Sequence, residues 1–308
     1  MRRLLIVIVL VFVALAGCIE KGPNTEDIKT LALKSASNLS SYSFTVDQKQ
    51  IENIKGLNEQ NGTYDANVTS RSAEMEIDGS VDLARHKAMA NLSTKTNLTG
   101  PGGLYQEADS KGTEYNIGNT TYTKMDQENW TQLKDPTSEI ELWSSNRYNA
   151  LISRMESINR SNLEVVGEEK IDGYDTIKLK ATIDNNTYYQ TAYNMISNAI
   201  FPFIAKINSS DLNTNSSMET IIWIEKGTYL PRKYENHINI EVVPEIIGIF
   251  DPAKGQVAML NKTIKPAEVS VESSALENYY DFDISTAIIP PKQALETEPI
   301  IPTPIMAK

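Results

Sequence analysis

The sequence predicts an α+β fold built on an antiparallel sheet, from three observations. Segments rich in β-branched and aromatic residues recur along the chain, separated by short turn signals. One of them, YDTIKLKATI, alternates: Ile177, Leu179, Ala181 and Ile183 face one way, and Thr176, Lys178, Lys180 and Thr182 the other. Such a strand belongs to a sheet with one buried and one wet face. Three other segments carry apolar residues at helical spacing.

The elements follow in order. Arg2 and Arg3 precede an apolar run, Leu4 to Ala16, and small residues lead from it to Cys18. That is the layout of a secretory signal peptide, and the run falls short of the roughly 20 residues a membrane span needs. Cys18 is the only cysteine, so an intramolecular disulfide is impossible. Leu15-Ala16-Gly17-Cys18 resembles the lipobox of prokaryotic lipoproteins. The resemblance implies cleavage before Cys18 and a lipid on its sulfur, since only a thiol forms the thioether. The competing reading is an uncleaved anchor with an incidental cysteine. Residues 1–17 are therefore expected to be a signal peptide and 18–26 a linker, with the protein lipid-anchored on the extracytoplasmic face of the membrane. Each buried CH₂ of such a lipid contributes about 0.8 kcal/mol.

EDIKTLALKSASNL opens the domain, expected over 27–288, with Ile28, Leu31, Ala32, Ser35 and Leu39 on one helix face. SYSFTVDQKQ, EMEIDGSVDLA and EYNIGNTTYTKM read as strands. Asp78-Gly79, Gly118-Asn119 and Asp172-Gly173 read as two-residue hairpin loops. Ser138 to Glu141 reads as a capping box opening a second helix with a stripe of Tyr148, Leu151, Ile152, Met155 and Ile158. The third helix aligns Tyr189, Ala192, Tyr193, Ile196 and Ile200, and Pro202 should end it. ETIIWIE and YLPRKYENHINIEVV then form a hairpin around Glu225 to Thr228, and AEVSVESSALENYYDFDI is the last strand region. The tail, 289–308, holds five prolines and reads as extended or disordered.

Charge excludes some partners. Removing residues 1–17 takes two Arg and leaves 27 basic residues against 40 acidic ones. A net charge of −13 argues against nucleic acid and against direct attraction to anionic lipid. The only histidines, His86 and His237, both fall in predicted strands; His237 takes a polar face, and His86 shares one with Ala84, Ala88 and Ala90. Gly-x-Ser-x-Gly, the phosphate-binding Gly-x-x-x-x-Gly-Lys and His-Glu-x-x-His do not occur. Asp281 and Asp283 are too few for the six to eight ligands of Ca²⁺. No catalytic residue, metal or cofactor is expected, although 40 acidic residues keep a carboxylate hydrolase open as a second alternative.

Asn-x-Ser/Thr occurs at Asn38, Asn61, Asn67, Asn91, Asn97, Asn119, Asn129, Asn159, Asn185, Asn208, Asn215 and Asn261. Random placement of the same residues gives about four. The excess points to glycan acceptors on an exported protein; the alternative is that Asn, Ser and Thr share turns and strand edges. A lipobox with dense acceptor motifs fits an archaeal cell surface better than a bacterial one.

The order of elements resembles a known family. Gly167 and Gly173 flank one hairpin, and Trp223, Ile224, Thr228, Pro231 and Lys233 lie along the next. With the lipobox, the SYSF strand and the closing NYYDFDI, this looks like the LolA-like superfamily of lipoprotein carriers and mycobacterial lipid-binding lipoproteins. Asn185 to Met218 stands outside that pattern. The resemblance implies a strongly curved antiparallel half-barrel with helices packed on its concave side and apolar cargo between them. Trp143, Leu151, Met155, Tyr193, Ile196, Phe201 and Phe203 are then the expected ligand-binding residues. Their competing role is to close an ordinary sheet–helix core. The function expected is non-enzymatic binding or sensing of a lipid or other apolar ligand. The alternative is a cell-envelope structural or interaction protein with a self-filled core, whose protein partner the sequence does not name.

Overall fold

The structure, a computed structural model, describes residues 24–300 except 56–58, 61–62, 65–67, 101–102, 145–147, 201–202, 213–215, 252–255 and 265–267. The signal peptide, Cys18, Asn61, Asn67, Phe201, Pro202 and Asn215 lie outside the described residues.

Helix α1 (Thr25–Ser37) starts at Asn24, whose side chain accepts the amide of Asp27, satisfying an otherwise orphan donor. Strands β1 (Ser41–Lys55), β4 (Val68–Asp82), β5 (Lys87–Gly100), β6 (Leu104–Ile117), β7 (Thr120–Met125) and β8 (Thr131–Lys134) follow, with a two-stranded ribbon, β2 (Glu59–Gln60) and β3 (Thr63–Tyr64), between β1 and β4. Helices α2 (Glu139–Ser144) and α3 (Ala150–Arg160) lead to β9 (Asn162–Ile171) and β10 (Tyr174–Thr182). After α4 (Asn185–Ala199) come β11 (Phe203–Lys206), β12 (Ser217–Glu225), β13 (Pro231–Val242), β14 (Glu245–Asp251), β15 (Gln256–Ile264) and β16 (Glu268–Tyr280). The chain ends in α5 (Lys292–Leu295) and β17 (Pro299–Ile300).

Twelve strands form one curved, open sheet in the order β17-β8-β7-β6-β5-β4-β1-β16-β13-β12-β10-β9. All its pairings are antiparallel except the last, β17 beside β8. Strands β11, β14 and β15 form a separate small sheet.

Register assigns each side chain to a face, because the side-chain period is two. One face carries Tyr42, Val81, Ala88, Leu179, Ile222, Tyr234 and Tyr279, and these join Ile28, Ala32 and Ala36 of α1 and Leu151, Ile152, Met155 and Ile158 of α3 in one apolar cluster. Farther along the same face, Ile238, Ile240, Val242, Val269 and Val271 pack with Ala192, Ile196 and Ile200 of α4 and with Ala205, Ile207 and Ile246. Both clusters thus stand on the same side of the sheet.

Four expectations change. The second predicted helix is two: α2 opens at Ser138, whose hydroxyl accepts the amide of Glu141 at 3.3 Å, and α3 opens afresh at Asn149. Asp78-Gly79 lies inside β4; the turn to β5 is Leu83 to His86. His86 therefore sits in a turn, at φ 52°, not in a strand. The segment 292–300 forms α5 and β17 instead of a wholly extended tail. Gly118-Asn119 and Asp172-Gly173 are turns as read, with φ 51° and 88° at the latter pair, the left-handed geometry such hairpins need.

Candidate functional site

A single row of side chains crosses the helix-bearing face. Leu179, Ile222, Tyr234, Glu277, Val46, Ile77, Leu92, Gly112 and Met125 are register neighbours on nine consecutive strands. The first three are buried beneath α1 and α3. Val46, Ile77, Leu92 and Met125 belong to neither apolar cluster and are half-buried. The apolar row thus continues beyond the helices as a strip across five strands, about 19 Å wide at about 4.8 Å per strand. On neighbouring rows Phe44 folds over Gly79, where an added Cβ would lie 2.6 Å from its ring, and Met75 stands beside Gln48 and Thr94. Met125 folds over Gly112, its sulfur 2.5 Å from where a Cβ would be. A flexible methionine over a glycine gives the strip an adaptable surface.

A buried ion pair borders the strip. Glu277, next to Val46, is 3% exposed. Arg154 of α3 donates from Nη2 to its Oε1 at 2.7 Å and from Nε to its Oε2 at 3.3 Å, the forked geometry that suits a carboxylate. The Tyr279 hydroxyl donates to Glu277 Oε2. Burial disfavours the charge on Arg154, but attraction and hydrogen bonds to Glu277 outweigh it and raise the guanidinium pKa. Burial first, then the charge on Glu277, pushes the Tyr279 hydroxyl well above the usual phenol range. Burial likewise raises Tyr42, whose hydroxyl donates to Asn149 Oδ1 at 3.2 Å. This network ties α3 to the sheet beside the strip.

The opposite face is polar. Three adjoining open depressions of about 490, 340 and 580 Å³ run across it from β12 to β6; the first two share Lys49, His237 and Ser274, and the second and third share Asp47 and Glu76. Lys49 pairs with Glu74 at 3.0 Å and His237 with Glu235 at 3.0 Å. Among the described residues, no cluster of His, Cys, Asp and Glu is placed to hold a metal, and no helix is long and apolar enough to cross a membrane.

The expected ligand-binding residues do not meet at one space. Trp143, Leu151 and Met155 lie in the α1–α3 cluster, with Leu151 at 0% and Met155 at 2% exposure. Ile196 is fully buried in the α4 cluster, and Tyr193 is partly buried against it. Trp143 stacks on His86 with ring centroids 5.3 Å apart and donates from Nε1 to the Gly118 carbonyl at 2.8 Å. His86 Nδ1 lies 2.7 Å from Glu139. Phe203 is in β11, and its side chain is not described. His237 is exposed on the polar face. Asp283 is tied down by the amide and hydroxyl of Ser40, each at 2.8 Å. Sequence reading missed Val46, Ile77, Leu92 and Met125, because only cross-strand register aligns them.

Of the asparagines in acceptor motifs, Asn38, Asn91, Asn129, Asn159, Asn185 and Asn208 are exposed, and Asn97 and Asn119 half-buried; the side chain of Asn261 is not described.

No protein-family model matches the chain, and no curated protein matches it. Among solved structures, the lipoprotein LppX of Mycobacterium tuberculosis aligns over 86% of this chain and 97% of its own, at 14% identity and a TM-score of 0.37. LprF from Mycobacterium bovis aligns over 86% and 96%, at 11% identity and a TM-score of 0.37. A putative outer membrane lipoprotein-sorting protein domain from Vibrio parahaemolyticus aligns over 85% and 95%, at 9% identity and a TM-score of 0.22. Scores this low establish neither the fold nor the ligand of this chain.

Proposed function

We propose that the chain is a lipid-anchored, extracytoplasmic, non-enzymatic protein that holds a lipid or other apolar ligand against the strip Val46–Ile77–Leu92–Met125. The observation that carries this reading is that the apolar row leaves the cover of α1 and α3 yet stays apolar for the width of five strands. In this reading that face is the concave one. A ligand burying about 300 Å² there gains roughly 7 kcal/mol before association costs. The buried carboxylate at the site, Glu277, is engaged by Arg154 and Tyr279, a scaffold role that fits binding without catalysis.

Leu92→Asp tests it. The side chain is half-buried, so the fold should survive by circular dichroism while affinity for a fluorescent fatty acid falls at least about tenfold, equivalent to about 1.4 kcal/mol. Unchanged affinity in a folded Leu92→Asp protein would place the ligand elsewhere. A second reading is favoured by the near-zero exposure of Leu151, Met155 and Ile196: the core is filled by its own side chains, and the protein is a structural or interaction component of the envelope. Wild-type protein that takes up no apolar probe would leave that reading standing.

The anchor is tested separately. Cys18→Ser should remain in the aqueous phase on detergent partitioning, because a hydroxyl cannot form the thioether. A correctly processed Cys18→Ser protein that still enters detergent would contradict lipidation.

A further inference from the structure

We propose that Asn91 and Asn97 carry N-linked glycans that cover the helix-free face of the sheet, while Asn119 and Asn208 stay bare. Within the large sheet, Asn91 and Asn97 are the acceptor-motif asparagines on described strands, and both belong to β5. Asn91 is the register neighbour of Asp78 and Thr113, and Asn97 of Ser72 and Glu107, so both take the face away from the helices. Six residues separate them, about 20 Å along a strand.

Atomic detail separates the sites. The nitrogen Nδ2 is the atom a glycan occupies. At Asn91 the side-chain amide lies 3.0 Å from the Thr113 hydroxyl, and at Asn97 it lies 3.3 Å from the Tyr105 hydroxyl, whose proton goes to Glu107 Oε2 at 2.9 Å. Each amide thus meets a hydroxyl, a group that can donate or accept. At Asn119, Nδ2 donates to the Asp135 carbonyl at 3.1 Å. At Asn208, Nδ2 donates to Asp211 Oδ2 at 3.0 Å. Asn119 also sits in a turn closed against α2, where Glu139 Oε2 would lie 3.0 Å from a Cβ on Gly118. Transfer to Asn119 or Asn208 requires the amide to leave a carbonyl or carboxylate that can only accept; at Asn91 or Asn97 it leaves only a hydroxyl contact.

The surroundings of Asn91 suit a sugar. The residue lines the 580 Å³ depression with Asp78, Ser93, Lys111 and Thr113. These supply donors and acceptors for ring hydroxyls. The attachment step is a glycosyl transfer from a lipid-phosphate-linked oligosaccharide. The amide nitrogen attacks the anomeric carbon and an N–C bond forms. The C–O bond to phosphate breaks, the lipid phosphate leaves with the electron pair, and the amide nitrogen gives up one proton. The result is carbohydrate on the helix-free face of the sheet, opposite the apolar strip. The proposal rests on export of the chain, and its test separates the two.

The experiment is site-resolved mass spectrometry of glycopeptides from protein purified from the cells that produce it, with the N-terminal peptide read in the same digest. Glycans on most copies at Asn91 and Asn97, and few at Asn119 and Asn208, are expected. Equal or reversed occupancy overturns the assignment. A processed N-terminus at Cys18 with Asn91 and Asn97 unmodified overturns the glycan proposal alone. An unprocessed N-terminus with no glycan on the chain overturns export and the proposal together. The double variant Asn91→Gln with Asn97→Gln should lose the mass of two glycans, and Asn119→Gln should lose none.

Discussion

Asn149 joins two elements through one oxygen. Its Oδ1 accepts from the Ile152 amide and from the Tyr42 hydroxyl, each at 3.2 Å, and so caps α3 while pinning it to β1. Asn149→Ala removes the cap and strands a buried hydroxyl, so a loss of about 2 kcal/mol in urea unfolding is expected. Arg154→Ala leaves the Glu277 carboxylate buried without its cation. The cost should be about 3 kcal/mol, the low end for a broken buried pair, because the Arg154 side chain is 46% exposed and water replaces part of it. Adding Glu277→Gln should recover part of that loss, which a double-mutant cycle would show. Tyr42 and Tyr279 set an alkaline limit. Their folded-state pKa values are raised by burial, whereas the unfolded chain releases these protons near pH 10. Their contribution is therefore complete below about pH 10 and is lost as pH rises past it. The urea midpoint should stay level from about pH 7 to 9 and fall above about 10, and Tyr279→Phe should soften that fall.

Helices α1 and α4 were legible because an apolar stripe at helical spacing is a local signal, and the strand pair around Asp172-Gly173 because its turn chemistry is local too. The apolar stripe begins only at Tyr148, so it marks α3 and not the shorter α2 before it; the legible clue to the break was a second cap residue, Asn149, eleven positions after Ser138. Asp78-Gly79 carries hairpin chemistry but serves packing: Phe44 and the Met89 carbonyl occupy the space where a Cβ would go. The β4–β5 turn forms instead where Asp82 Oδ1 accepts the Arg85 amide at 2.9 Å, a side-chain mimic of a backbone turn. Gly79→Ala and Gly112→Ala make opposing predictions from similar distances. At Gly79 a backbone carbonyl stands 2.7 Å from the new Cβ and cannot swing away, so a loss of about 1–3 kcal/mol is expected. At Gly112 the nearest neighbour is the flexible end of Met125, and the loss should be under about 1.5 kcal/mol. Thermal melts of the two variants check the order; equal losses would contradict the view of Met125 as a movable cover.

Across the whole molecule, the two helix-bound clusters cover part of one face and leave the strip between β1 and β7 outside both. The sequence shows the alternation that makes such a face, but not which residues align on it, since alignment across five strands depends on four separate registers. Of the expected ligand-binding residues, Leu151, Met155, Tyr193 and Ile196 lie on helix stripes, and helix stripes are what a sheet buries first. The exposed half of the apolar row was the part to look for. Native mass spectrometry of the full chain after gentle detergent extraction examines its occupancy directly. A bound apolar ligand should appear as a discrete added mass that organic solvent releases and that Leu92→Asp diminishes. A spectrum showing only the polypeptide and its covalent modifications, unchanged by Leu92→Asp, would contradict a ligand-holding strip.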